Sequence, residues 1–181
     1  YCLFAGAAER LETIRARAAK ELGEKNDKIV VPYLLESLKD KELVVRREAC
    51  EALGKIADES AVPALSERLK DDKENWTVKL KAGQSLVNIG SPRAFPAFVH
   101  ALKYECTQQR KIESISPPPR HDSFSPDEYV ERTLSNQLRD LVKASATKDL
   151  HIALLKEYLK DEKLPNPCRY RFAIILGELN Q

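Results

Sequence analysis

The sequence has few glycines and few aromatic residues, which argues against a fold built from β-strands. Only 6 of its 181 residues are glycine and 7% are aromatic, whereas 32% are charged and 43% are hydrophobic. Sandwiches and barrels need many tight turns and many aromatic or β-branched positions. The composition therefore predicts an all-α protein with charged helix faces and enough apolar residues for a substantial core.

The sequence also lacks a long apolar run and a large net charge. No stretch approaches the roughly 20 apolar residues that a membrane-spanning helix needs, so we expect no membrane insertion. Thirty basic residues against 28 acidic ones give a formal charge of +2. This balance does not favour nucleic acid or an anionic membrane as a partner, so a basic site would have to be local.

The cysteines form no metal or redox motif. Cys2, Cys50, Cys106 and Cys168 lie far apart without a CxxC pair, which argues against a structural zinc site and a thioredoxin-like motif. We interpret Cys50, which falls among apolar helix positions, as a core residue. The other three are either free or paired, and four cysteines leave both a cytoplasmic and an exported location open.

Catalytic signatures are missing as well. The histidines, His100, His121 and His151, are scattered, and none is followed by glutamate as in His-Glu metal pairs. There is no phosphate-binding loop, no GxSxG elbow and no GxGxxG fingerprint. Carboxylates are abundant, but exposed helices carry them anyway. We therefore predict no catalytic residue, no cofactor and no metal ligand, and we expect a protein without enzymatic activity.

What the sequence does contain is internal repetition. Residues 14–23 align with residues 45–54, and residues 31–34 align with residues 62–65. Both alignments have a separation of about 31 residues, within the range of helical repeats. Apolar residues recur at helical spacing in each unit, which predicts two antiparallel helices. One such hairpin cannot bury its apolar faces alone, so the units are expected to stack.

Further copies extend the pattern along the chain. A third copy has its second helix at Val78 after a loop two residues longer, and a fourth has helices at about 91–104 and 126–146. A fifth copy covers residues 151–177. We therefore predict an α-solenoid of about four to five hairpins as a single domain over residues 7–181. Residues 1–6 are interpreted as a leader or an expression remnant.

Small residues and prolines recur at fixed places in the repeat. Alanines in the second helices are expected to let these helices approach closely, at Ala18, Ala49 and Ala82. Glycines near the ends of these helices are expected to terminate them, at Gly23, Gly54 and Gly90. Prolines are expected in the first turn of each first helix, or at a kink, at Pro32, Pro63 and Pro96.

The segment VRREACEALGKIADESAVPALSERL resembles HEAT repeats of the short, roughly 30-residue variety of phycobilisome-lyase-type proteins. The resemblance implies that the second helices line a concave face and that Arg46 pairs with Asp40. It also implies a range of roles, because this repeat occurs in scaffolds, adaptors, bilin lyases and many bacterial proteins. We expect a scaffold for a polypeptide partner. The alternatives are a bilin lyase or isomerase-like protein and, less favoured, a nucleic-acid-binding protein.

A ladder of basic residues follows the second helices, and it has two interpretations. It lines a groove for acidic peptides or phosphate, or it forms ion pairs between repeats and solvated faces. Trp76 either packs on the core or projects as a contact residue. The ladder consists of Arg15, Arg17, Arg46, Arg47, Lys79, Lys81, Arg169 and Arg171.

A proline-rich insertion loop is predicted at about residues 105–125, because three consecutive prolines exclude a helix. Residues 125–128 then read as a helix start with Ser125 as the N-cap. The loop either recognises a partner or is a plain linker. The residues we predict to bind a partner are Arg15, Arg47, Lys79, Lys81, Arg171, Trp76, Pro118, Pro119, Arg120 and Phe124.

Overall fold

The computed structural model describes residues 2–113 and 126–180, and it describes the side chains of residues 11–107 and 129–180. These residues form α-helices and short 3-10 turns and contain no strand, which confirms the predicted all-α class. The α-helices of the described ranges are α1 (Cys2–Lys25), α2 (Val31–Ser37), α3 (Leu43–Ile56), α4 (Val62–Lys70), α5 (Trp76–Ile89), α6 (Phe95–Glu113), α7 (Pro126–Ala144), α8 (Lys148–Lys160) and α9 (Asn166–Leu179).

The chain divides into two compact units, residues 1–89 and residues 90–181. In the first unit, α1, α3 and α5 pack side by side, while α2 packs on α3 and α4 packs on α5. In the second unit, α6 packs on α7, α8 packs on α9, and α7 contacts α9. The described part of the chain thus contains four helical hairpins, with α1 in the place of a further second helix. This arrangement confirms the predicted stacking of about four to five HEAT-like hairpins.

The first helices α2, α4 and α6 are each entered through a short 3-10 turn. Asp27 and Asp58 each accept a hydrogen bond from the backbone N–H two residues later, at 2.9 Å. Pro32 and Pro63 are the second residues of α2 and α4, where a missing N–H leaves no helical hydrogen bond unmade. The prolines therefore occupy the first turn, one of the two predicted positions. The 3-10 turns span Lys28–Val30, Glu59–Ala61 and Pro92–Ala94.

An aspartate also shapes the turn inside the hairpins. Asp40, Asp71 and Asp161 each accept a hydrogen bond from the backbone N–H two residues later, at 2.9–3.0 Å. Such a turn lets a short polar side chain replace a backbone acceptor where the chain reverses. Because Asp161 belongs to the second unit, the same hairpin turn recurs in both units.

The core of the first unit contains the apolar residues that recur at helical spacing in the second helices, as predicted. In α3, Val45, Ala49 and Leu53 are at most 1% exposed. In α5, the aligned residues are equally buried, at Val78, Ala82 and Leu86. Cys50 is fully buried beside this row, as predicted. Burying each large aliphatic side chain stabilises the fold by about 1.5–3 kcal/mol.

The prediction that glycines end the second helices is correct for Gly90 and wrong for Gly23 and Gly54. Gly90 follows α5 with a φ of 71°. Gly23 and Gly54 lie inside α1 and α3, and the left-handed residues after these helices are Asn26 (φ 51°) and Ala57 (φ 52°). Gly23 and Gly54 therefore have a different role, which their neighbours reveal.

These two glycines let adjacent second helices come together. A Cβ atom at Gly23 would lie 2.6 Å from the Cα of Ala52, and one at Gly54 would lie 2.7 Å from the Cβ of Ser85. Neither position has room for a side chain. The close approach was predicted at the alanines instead, and at Ala18 that prediction is wrong because Ala18 is exposed.

Helix α6 is longer than predicted. We expected helical periodicity to fail from Glu105, but α6 continues to Glu113. Residues 105–113 contain neither proline nor glycine, so nothing in their sequence ends the helix. The predicted Ser125 cap and four predicted binding residues lie outside the described ranges, namely Pro118, Pro119, Arg120 and Phe124.

The glycine contacts make a testable prediction. We expect Gly54→Ala to lower the free energy of unfolding by about 1–3 kcal/mol, because the added methyl group overlaps Ser85. Gly177→Ala is the matched control, since Gly177 lies in α9 and a Cβ atom there would have nothing within 4 Å. At that position, alanine should leave stability unchanged or raise it by up to about 1 kcal/mol. Denaturant unfolding followed by circular dichroism measures both, and equal losses would contradict the packing role.

Candidate functional site

Two bidentate ion pairs connect successive repeats of the first unit. Arg15 on α1 donates to both carboxylate oxygens of Asp40, at 2.7 and 3.2 Å. Arg46 on α3 donates to both carboxylate oxygens of Glu74, at 2.9 and 2.7 Å. In each case the carboxylate belongs to the turn of the following hairpin. The planar guanidinium fork matches a carboxylate in this geometry, so each pair fixes the position of the next turn.

The pairing of Arg46 with the Asp40 carboxylate, which the family resemblance implied, is wrong. Arg46 Nη1 instead donates to the backbone carbonyl oxygens of Asp40 and Lys41, at 2.8 and 2.9 Å. Its other donors reach Glu74, while the carboxylate of Asp40 is bound to Arg15. One arginine therefore holds the backbone of its own turn and the side chain of the next turn.

Glu74 is the most deeply buried carboxylate of this network. Its side chain is 1% exposed and accepts hydrogen bonds from Arg46, from Arg68 at 3.3 Å and from the N–H of Asn75 at 2.8 Å. Burial alone would raise the pKa of Glu74, but these hydrogen bonds and the two positive charges outweigh it and lower the pKa. Glu74 therefore remains charged inside the turn.

Sequence reasoning missed Glu74, although one signal pointed to it. The segment from Asp71 to Val78 is two residues longer than the aligned segment from Asp40 to Val45, and Glu74 lies within the longer segment. Counted back from the aligned valines, the shorter segment has Lys41 where the longer one has Glu74. The insertion was recognised as a loop, but only the structure shows that it supplies the partner of Arg46.

Three other members of the basic ladder also contact carboxylates. Lys81 lies 2.7 Å from Glu51 of the preceding second helix, and Arg47 lies 2.8 Å from Glu48. Arg171 is bound to Glu131 in the second unit. The remaining predicted residues differ in environment: Lys79 is 3% exposed, and Trp76 is 46% exposed at the first position of α5. Whether any of them contacts a partner stays a prediction.

A row of apolar side chains on α1 is exposed. Leu11 and Ile14 are each 57% exposed, Ala18 is exposed and Leu22 is half-buried. These four residues are spaced by three or four positions, so they lie on one helix face. We call them the α1 apolar row. Sequence reasoning missed the row because its members were counted as ordinary core positions.

The repeat alignment explains why this row is unusual. Ile14, Ala18 and Leu22 align with the three fully buried residues Val45, Ala49 and Leu53 of α3. The helices α3 and α5 each pack against a hairpin partner, α2 or α4. Among the described residues, α1 has no equivalent of that partner. The chain therefore leaves uncovered on α1 a surface that is core in the neighbouring repeats.

Comparison with known families identifies this architecture. Residues 3–86 match the family model for HEAT repeats. The first unit is thus similar to HEAT repeats. The chain matches no curated protein. The second unit lies beyond the HEAT match, but its hairpin of α8 and α9 repeats the aspartate turn of the first unit. None of the described helices combines the length and apolarity needed to cross a bilayer.

The Glu74 network predicts a pH-dependent contribution to stability. We expect Glu74→Gln to lower the free energy of unfolding by about 1.5–3 kcal/mol at neutral pH, because Arg46 and Arg68 lose a charged acceptor. Since the folded-state pKa of Glu74 is lowered, its contribution is complete above the ordinary value of 4.5 and is lost as pH falls through the lowered pKa. The difference between wild type and variant should therefore shrink in acid.

The fluorescence of Trp76, the single tryptophan, measures unfolding of the unit that contains this network. Glu36→Gln is the control, because Glu36 pairs with Lys39 on the surface, where both side chains are more than 70% exposed. This change should alter stability by less than about 1 kcal/mol. A Glu74→Gln effect that did not depend on pH would contradict the ionic role of Glu74.

Proposed function

We propose that this chain is a non-catalytic scaffold that binds another polypeptide, and that the α1 apolar row forms part of the binding surface. HEAT repeats commonly mediate protein–protein interaction. The observation that carries the proposal is that Ile14 and Ala18 are exposed and Leu22 is only half-buried, whereas their aligned residues in α3 are core. The proposal adds a third surface to the concave face and the insertion loop, which stay predictions.

The neighbouring repeats indicate what kind of partner fits this row. The helix that covers α3 is α2, which buries Val31 and Leu34 together with the adjacent Leu38. A partner that covers α1 in the same way would be an amphipathic helix with apolar residues at positions i, i+3 and i+7. Contact with the exposed leucine and isoleucine would remove apolar surface from water, at about 25 cal/mol per Å².

The charges beside the row favour an interaction that depends little on salt. Arg17, Lys20, Glu21 and Glu24 are exposed on α1 and carry both signs. Arg15 is already engaged by Asp40. A mixed-sign rim gives little long-range attraction, so affinity would come mainly from the apolar contact.

The proposal is tested by capture of partners from an extract of the source organism, followed by binding measurements with the purified pair. We expect Ile14→Lys to weaken binding by roughly tenfold or more, because it places a charge in the apolar contact. Ile29→Lys is the matched control: Ile29 is 76% exposed in the same unit but lies outside the α1 apolar row. It should bind like the wild type.

Two results would contradict the proposal. The absence of any polypeptide that binds the purified chain with measurable affinity would exclude the scaffold role. Equal effects of Ile14→Lys and Ile29→Lys, with circular dichroism unchanged, would exclude the α1 apolar row as the binding surface.

A bilin lyase or isomerase-like role is the alternative proposal, and only the resemblance of the repeat to the phycobilisome-lyase type supports it. It requires that the chain bind a tetrapyrrole. Titration of the purified protein with a bilin should then shift the absorption spectrum of the chromophore, and an unchanged spectrum would exclude this role.

A further inference from the structure

Two buried thiols meet in the second unit. Cys106 is on α6 and Cys168 is in the first turn of α9, and each is 1% exposed. The Sγ atom of Cys168 lies 3.9 Å from the backbone carbonyl oxygen of Lys103, which is one helical turn before Cys106 on α6, so the two thiols lie beside each other. They lie 62 positions apart in the sequence, so the contact exists only because α6 and α9 pack together. The spacing of the cysteines therefore gave no indication of it.

Charged groups surround this pair of thiols. The Sγ atom of Cys106 donates to Oε1 of Glu131 at 3.6 Å, and Glu131, itself 2% exposed, is bound to Arg171. The Sγ atom of Cys168 donates to the backbone carbonyl of Lys103 at 3.9 Å. A buried carboxylate therefore lies against one thiol but is not hydrogen-bonded to the other.

This asymmetry gives the thiols different acidities. The neighbouring Cys106 thiol lowers the pKa of Cys168 and, with the positive charge of Lys103, outweighs burial and the Glu131 carboxylate, which both raise it. The Cys168 thiol, burial and the Glu131 carboxylate all raise the pKa of Cys106. Cys168 is thus the thiol that ionises first, and a thiolate is the reactive form of cysteine.

We propose that Cys106 and Cys168 form a redox-active dithiol that closes to a disulfide linking α6 to α9 when it reacts with a small disulfide such as glutathione disulfide. This property is independent of the polypeptide binding proposed above. It assigns a modification site to the second unit and leaves the α1 apolar row of the first unit unchanged.

The reaction takes place in two exchange steps. The Cys168 thiolate attacks one sulfur of glutathione disulfide, the disulfide bond breaks, and one glutathione thiolate leaves. Cys106 then transfers its proton to the Glu131 carboxylate and attacks the Cys168 sulfur, which releases the second glutathione. Glu131 passes this proton to the second leaving thiolate, and the proton that Cys168 released on ionisation ends on the first. Two cysteine thiols are oxidised, and one glutathione disulfide is reduced to two thiols.

Cys168 is 1% exposed, so the reagent reaches it only when the first turn of α9 opens, and helix ends open more readily than helix centres. Cys50 is equally buried but lies in the middle of α3, and burial raises its pKa to about 12. Cys50 is therefore the internal control for a buried cysteine that should not react.

The test uses the full chain equilibrated with mixtures of reduced and oxidised glutathione. We expect oxidation to remove two of the four thiols, counted after acid quenching and denaturation. Mass spectrometry without reductant should find one cross-linked peptide pair that contains Cys106 and Cys168. Cys50→Ser should give the same result. Cys106→Ser should instead stop at a mixed disulfide, with one glutathione on Cys168.

Some results would overturn the proposal. The proposal is wrong if the folded wild type forms no Cys106–Cys168 cross-link at any glutathione ratio, or forms it only after denaturation. It is also wrong if Cys50→Ser no longer forms the cross-link. The cross-link in the wild type is measured without any substitution, so a folding defect of Cys106→Ser cannot conceal a negative result. Glutathione found on Cys106 instead of Cys168 in wild type stopped early would overturn the assigned order of attack.

Discussion

The close contact between adjacent second helices is the constraint on which the first unit depends. Gly23 lies against Ala52 and Gly54 lies against Ser85, at distances that leave no space for a side chain. Close backbone approach brings α1, α3 and α5 side by side, and α2 and α4 then cover the apolar rows of α3 and α5. The hydroxyl of Ser85 adds a buried hydrogen bond to the carbonyl of Cys50, at 2.7 Å. Steric fit and a satisfied polar group together determine how the repeats stack.

The ion pairs act on a different part of the repeat. Glycines set the distance between helices, whereas Arg15 and Arg46 determine where the following turn lies. Because Glu74 is buried, its negative charge is compatible with the fold only while Arg46 and Arg68 remain beside it. Four of the eight basic residues that suggested a ligand groove form ion pairs between repeats, namely Arg15, Arg46, Lys81 and Arg171. The α1 apolar row is a different kind of surface, because it is apolar and no described helix covers it.

The fold was predictable from the sequence because each repeat has the same helical spacing of apolar residues. Periodic apolar residues located the helices, and the aligned prolines located the starts of α2 and α4. The candidate site was much less predictable. The exposure of Ile14 depends on the absence of a neighbouring helix, which no local pattern records. The pairing of Arg46 with Glu74 depends on how the turn between α4 and α5 folds. The proximity of Cys106 and Cys168 depends on the packing of α6 against α9. Local sequence patterns determine where the helices lie, whereas these three features arise only in the folded chain.

The reach of Arg46 into the next turn limits how far the repeats are interchangeable. Their sequences align as separate modules, which suggests that one hairpin can be excised and the ends rejoined. Removal of α4 and α5 would take away Glu74 and leave the guanidinium of Arg46 facing whatever turn took its place. It would also leave Gly54 opposite a helix that was not shaped for it. To shorten or lengthen this array, the arginine, the acidic turn that it binds and the glycine contact have to be moved together. The segment that can be exchanged therefore extends across the boundary between two hairpins.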